Sequence, residues 1–287
     1  MTGQKGITLS QNCQNTTVEY NLTFVATLLA APLVWPVGRA AWGVTLGAAA
    51  ALVLQLPLLW RHQTSEVSGD FRSLTSVGQV ARLAGPLAAG YAAHHVILFV
   101  DRAMAIALGV GSAAALNYAY HLALAVGQLS GLAVSTVLFP RLAEQITGGD
   151  VSGARTSLAG ALRFVVAVGL PTTGGLILLR TPLVRVLFER GAFDSAATAA
   201  VSGPLAWYSL AVLADALCQP LWRVVYARRS AWTVLAVNGL QTGIRLLGNL
   251  ALTPVLGYNG LALSAAIGLS VQAGVLGWLV RRWMGNS

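Results

Sequence analysis

From residue 84 onward the chain is a succession of apolar runs with short polar breaks, at about 84–108, 113–139, 157–180, 200–226, 231–253 and 259–281. The hydrocarbon core of a bilayer takes about 20 helical residues to cross, so each run predicts a transmembrane helix. Two earlier runs, at about 22–37 and 41–60, bring the expectation to about eight, the first being short and interrupted by Pro32 and Pro36. The runs are too long for membrane strands of about 9–11 residues, and they lack strict alternation. The pattern therefore predicts an all-α membrane protein, a polytopic bundle. Gly127, Gly131, Gly169, Pro171, Gly174 and Gly175 fall inside these runs. Membrane helices tolerate such residues, because small side chains let neighbours approach closely. Trp35, Trp42 and Trp60 stand at run ends, where amphipathic rings prefer the headgroup layer.

The same pattern divides the chain into a polar extension (1–20), two transmembrane helices (21–60), a polar linker (61–80) and a six-helix lobe (81–287). Residues 1–20 lack the basic start and apolar core of a cleaved signal peptide. Asn15-Thr16-Thr17 and Asn21-Leu22-Thr23 match the glycosylation sequon, a short pattern that chance readily supplies. Composition agrees with the bilayer reading: 56% of the 287 residues are hydrophobic and 9% charged, with a mean hydropathy of +0.68. That is too little charge to cover an aqueous surface.

A net charge of +9 raises nucleic acid as a partner, but the arginines are scattered singly or in pairs beside apolar segments. Positive-inside topology accounts for that spacing, and no nucleic acid is expected. Arg61, Arg72 and Arg82 put the linker in the cytoplasm, together with Arg141, Arg155, Arg223, Arg228, Arg229, Arg281 and Arg282. Arg39, Arg180, Arg185 and Arg190 fall on the opposite side, the last three beside Glu189 and Asp194. This basic external loop reads as an interfacial helix with snorkelling arginines, an anion-attracting loop being the other reading. Cys13 and Cys218 stand far apart and suggest neither a disulfide framework nor a metal site.

Enzyme signatures are missing. The sequence has no G-x-S-x-G, H-E-x-x-H, P-loop or C-x-x-C motif, so no catalytic residue, metal or cofactor is expected. His94 and His95 are adjacent, which on a helix points them about 100° apart and makes a poor metal pair. What remains is a set of polar groups inside apolar runs: Asp101, Arg102, His121 and Asp215, with Asn238, Gln241, Thr242, Arg245 and Asn249 along one helix. A charge at the bilayer centre costs at least about 2.5–3.5 kcal/mol, so such groups face a partner or a water-filled cavity. Arg245 with Asn249, and Asn238 with Thr242, are spaced i, i+4, so each pair shares a face. Together these residues form a polar stripe that must turn toward the bundle interior. Asp101 paired with Arg102 or Arg245 as glue between helices is the alternative to a transport pathway.

The run VDRAMAIALGVGSAAALNYAYHLALAVGQLSGLAVSTVLFPRL (100–142) resembles the seventh and eighth helices of the MurJ/MviN family of lipid II flippases. That family lies within the multidrug/oligosaccharidyl-lipid/polysaccharide (MOP) exporter superfamily. PLVRVLFERGAFD (182–194) is similar to the family's external loop, and NLALTPVLGYNGLALSAAIG (249–268) to its turn between helices eleven and twelve. The resemblance covers about 80–287 and implies a partial MOP-type transporter, not an enzyme, in the bacterial inner (cytoplasmic) membrane. It implies alternating access of two lobes around a cavity that takes the pyrophosphate and sugar headgroup of lipid II or a related polyprenyl-pyrophosphate glycolipid.

On these motifs His121, Arg102, Tyr118 and Asn117 are candidate cavity residues. Asp101, Arg245 and Asn249 are candidates for ion coupling or an internal salt bridge, and Arg185, Glu189 and Arg190 belong to the external loop. Three departures from the family pattern qualify this. The amino-terminal lobe is represented only by the segments before residue 61, so a separate amino-terminal lobe is an expected partner alongside membrane lipids. His121 stands where the pattern has an arginine, whose fork holds a pyrophosphate better than an imidazole does. The family's sodium site pairs the acid at Asp101 with oxygen ligands, whereas the facing helix here offers Arg245. An exporter of another glycan-lipid or of drugs, and a truncated or split lobe that does not transport alone, are the competing functions.

Overall fold

A computed structural model describes residues 45–50, 53, 74–127, 145, 148, 150–227 and 231–285. The chain divides into two compact units, Met1–Leu74 and Thr75–Ser287. In the first, residues 45–50 and 53 are helical. Pro32, Trp35, Pro36, Trp42, Trp60, Cys13 and both sequons lie outside the described residues.

The second unit is built of helices: α1 (Leu74–Ala107), α2 (112–127), α3 (Val151–Leu178), α4 (Arg180–Phe188), α5 (Ser195–Ala227), α6 (Ala231–Leu256) and α7 (Tyr258–Gly285). No strand occurs among the described residues. Among them α3, residues 195–226 of α5, and α7 are long and apolar enough to cross a membrane. The 28 residues of α3 rise about 42 Å, more than the roughly 30 Å of a hydrocarbon core. At 26 residues α6 also has the length.

Helix ends follow local chemistry. α1 starts at Leu74, so the end of the polar stretch 61–80 is helical. Once a helix is nucleated, each further residue adds a hydrogen bond at little cost, so polarity does not stop it. α3 starts at Val151, ahead of the expected 157, because Asp150 caps it: its Oδ1 accepts from Gly153 N and Ser152 Oγ, each at 2.9 Å. The Gly153 amide, then the Ser152 hydroxyl, hold this exposed carboxyl below its ordinary pKa. The α1–α2 turn needs positive φ at Gly109 (125°) and Gly111 (89°). Gly257 (φ 58°) closes α6 in the left-handed form, its N–H donating to Thr253 O at 2.9 Å.

α7 packs against both α5 and α6, while α3 and α4 pack against α5. Among the described residues two larger apolar cores result, beside a small one around Ala161 and Val165. One gathers Ala105, Leu116, Ala119, Val184, Leu205 and Leu261, near the α1–α2 and α6–α7 turns. The other gathers Leu158, Cys218, Val225, Val234, Leu276 and Val280, toward the opposite helix ends. Cys218 is a buried free thiol. The expected basic loop contains a short helix, α4, and Arg180 opens it.

Candidate functional site

Between these cores runs a polar seam carried by three helices. The stripe on α6 turns inward: Gln241, Arg245 and Asn249 are 2%, 6% and 0% exposed. Facing it from α1 is Asp101, 7% exposed, whose Oδ2 accepts from Arg245 Nη2 and whose Oδ1 accepts from Asn249 Nδ2. Asn249 Oδ1 in turn accepts from Ser264 Oγ on α7. Farther along, Gln272 Nε2 of α7 donates to Asn238 Oδ1 at 3.0 Å.

Small residues make these contacts possible. A Cβ at Gly248 would lie 2.8 Å from Ser264 Cβ, and one at Gly268 would lie 3.4 Å from Gln241 O. The two helices thus approach closely, in the manner of small-residue packing in membranes. Gly90 does the same for α1, where a Cβ would stand 3.4 Å from Asn238 Nδ2. The network does not use all of the stripe's capacity. Gln241 Nε2, Thr242 Oγ1 and Arg245 Nε are buried with no hydrogen-bond partner among the described residues.

A cavity of about 340 Å³ opens beside the ion pair. Its polar lining is Asp101, Arg102, Asn117, Tyr120, Tyr208 and Arg245, set among aliphatic side chains of α1 and α2. Arg102 is exposed and Tyr208 is buried. Tyr120 meets Tyr208 edge-on, with centroids 5.5 Å apart and planes at 72°. Asp101, Arg102, Asn117 and Arg245 are therefore brought to one cavity, with Asn249 directly behind the pair. Asp101 takes its charge partner from α6, not from the neighbouring Arg102.

The other candidates lie elsewhere. His121 is exposed and packs edge-on against Tyr120, but it is not among the lining residues. Tyr118 points the other way, against Phe188 and Phe193 at 5.2 and 5.7 Å, and lines a second, largely apolar cavity of about 360 Å³. Asp215 accepts from Gln219 Nε2 at 3.3 Å, one turn away on its own helix. His95 is exposed. At the corner between α4 and α5 Arg185 Nε pairs with Glu189 Oε2 at 3.3 Å, and the same oxygen accepts from the buried Thr198 Oγ1 at 2.7 Å. Arg190 Nη2 donates to the Leu187 carbonyl at 2.9 Å, closing the end of α4.

Sequence reasoning missed Tyr120, Tyr208 and Ser264. Tyr120 was accessible to it, since i, i+3 spacing puts it on the face of Asn117. Ser264, one hydroxyl in a run of alanines and glycines, gives no such sign.

A family profile described as "Lipid II flippase MurJ" matches residues 14–285. The chain is 31% identical over 246 residues to a probable lipid II flippase MurJ of Rhizobium tropici, covering 83% of this chain and 44% of the relative. It is 28% identical over 259 residues to the lipid II flippase MurJ of Burkholderia cenocepacia, covering 88% and 50%. The chain thus spans about half the length of these relatives. Among solved structures it is similar to a lipid II flippase MurJ in an inward closed conformation, with TM-score 0.71, 19% identity, and 93% of this chain on 55% of that one. It is as similar to a mutant of the MATE transporter VcmN of Vibrio cholerae, with TM-score 0.71, 14% identity, and 95% on 61%. Those two likenesses concern the fold.

Proposed function

This chain belongs to the MurJ lipid II flippase family, and from that membership we propose that it moves lipid II, or a related polyprenyl-pyrophosphate glycolipid, across the bacterial cytoplasmic membrane. The observation that carries the proposal is the buried Asp101–Arg245 pair beside a cavity that Arg102 and Asn117 also line. Charged groups are retained in apolar helices at a cost, and a cavity at their side gives them a use. In this reading residues 81–287 form one lobe of an alternating-access transporter. The segments expected within 21–60, which lie largely outside the described residues, are assigned to the other lobe, and of the expected cytoplasmic connection 61–80 the last residues, 74–80, belong to α1. The seam holds α1 against α6 and α7 in one state of the cycle. The unspent donors Gln241 Nε2 and Arg245 Nε offer α1 new partners as the lobes rock.

The family's sodium ion does not fit this seam. Asp101, Asn249 and Ser264 carry suitable oxygens, but a guanidinium already occupies Asp101 Oδ2. Arg245 supplies in fixed form the positive charge that an ion would bring.

Lipid II translocation in proteoliposomes, and growth of a flippase-depleted bacterium, test the proposal. Family relatives are about twice this span, so the assay supplies the remaining span on the same chain or as a separate amino-terminal lobe. Asp101→Ala and Arg102→Gln are each expected to reduce translocation. Unchanged translocation in both Asp101→Ala and Arg102→Gln would overturn the assignment of this site.

A further inference from the structure

We infer that the cavity beside the seam takes an uncharged sugar ring of the glycolipid headgroup, with Tyr120 and Tyr208 as its walls, and that the pyrophosphate is held elsewhere. This rests on the transport reading above and names which part of the headgroup the lobe reads.

The argument begins with charge. A pyrophosphate is held by converging guanidinium forks. Of the two arginines in this lining, Arg245 is committed to Asp101, which leaves one surplus positive charge, on the exposed Arg102. His121, the nearest further candidate, does not line the cavity. The lining chemistry points instead to a neutral ring with an apolar face and polar edges. Two tyrosine rings at 72° form a corner, one able to receive the C–H face of a pyranose and the other to flank it. Asn117 supplies an amide that both donates and accepts, matched to hydroxyl or acetamido groups. Apolar walls with a few convergent polar groups are what small-molecule pockets have in common, and about 340 Å³ lies at the low end of their sizes. That suits a ring or two, not a whole headgroup.

Saturation-transfer NMR on the purified full chain in detergent tests this, with N-acetylglucosamine and inorganic pyrophosphate as probes. The sugar ring protons should receive saturation, and pyrophosphate at equal concentration should not displace the sugar. Tyr120→Leu should weaken the sugar signal roughly tenfold, as loss of one aromatic stacking contact predicts. Tyr120→Phe should keep it. Tyr120, half-exposed, carries the test should Tyr208→Leu not fold. Displacement of the sugar by pyrophosphate, a signal unaffected by Tyr120→Leu, or no sugar signal at all overturns the inference. No sugar signal together with intact lipid II translocation sinks this inference and leaves the transport reading standing. A tyrosine-dependent sugar signal without translocation sinks the transport reading instead.

Discussion

Two arginine–carboxylate pairs in this molecule are made of the same chemistry and do different work. Arg245–Asp101 joins α6 to α1 across 144 residues of sequence, and both side chains are nearly sealed, at 7% and 9% exposed. Arg185–Glu189 joins two residues four apart at the end of α4, with the arginine side chain 62% exposed. An exposed pair exchanges hydration for a contact of about equal worth. A buried pair has lost its hydration already, so each partner is held by the other. Position, not residue identity, makes the first pair an organising element of the bundle and the second a local clasp.

Breaking the buried pair should therefore have the largest effect. Asp101→Asn leaves a guanidinium sealed among three helices, and the thermal stability of the detergent-solubilised protein should fall by about 3–5 kcal/mol. Arg245→Gln should cost less, because an aspartate can shed its charge by taking a proton and a guanidinium cannot. The double variant should recover part of the loss. A mutant cycle with coupling no larger than that of Arg185 with Glu189 would erase the contrast. The next effect acts on the helix approach that lets the seam close. Gly248→Ala puts a Cβ 2.8 Å from Ser264 Cβ and should cost about 1–3 kcal/mol by forcing α6 from α7. Gly239→Ala, with nothing within 4 Å, is the control, and on helix propensity alone it should gain about 0.5–1 kcal/mol.

These elements differ in how far the sequence announced them. Helix existence was legible because bilayer thickness imposes a length on each apolar run, and α3, α5, α6 and α7 lie where their runs do. The inward face of α6 was legible too, since Gln241, Arg245 and Asn249 share one side of a 3.6-residue period. Partner choice was not: Asp101 had Arg102 beside it in sequence and Arg245 far away. On a helix, adjacent residues point apart, and only the packed bundle decides which distant arginine arrives. The tyrosine corner escaped for a related reason. Tyr120 and Tyr208 sit on different helices, and no spacing rule links residues across a tertiary contact. The caps depended on single side chains, as with Asp150, whose effect on α3 exceeds what hydrophobicity alone conveys.

On the exposed side of the comparison the effects should be small. Glu189→Gln removes the charge facing Arg185 but keeps an oxygen for the buried Thr198 hydroxyl, so a loss of about 0–1 kcal/mol is expected in the same melt. A larger loss would mean that the clasp supports the core around Val184 and Val201, and the contrast would narrow.

Asp150 gives the smallest effect and separates charge from hydrogen bonding. Its carboxyl is held below the ordinary value of 3.8 by the Gly153 amide and the Ser152 hydroxyl. A depressed folded-state pKa means that the charged cap favours the folded state above the unfolded value, and that this contribution is lost as pH falls through the folded one. The onset of acid destabilisation should therefore include a contribution from Asp150 at and below about pH 4. Asp150→Asn keeps an acceptor for the Gly153 amide and should abolish that pH dependence while changing neutral stability little. Asp150→Ala should lower stability at neutral pH as well, since the first turn of α3 then loses its acceptor. If Asp150→Asn and Asp150→Ala melted alike at neutral pH, the cap would act through charge on the helix dipole, and even this exposed carboxylate would be electrostatic in the sense that Glu189 is not.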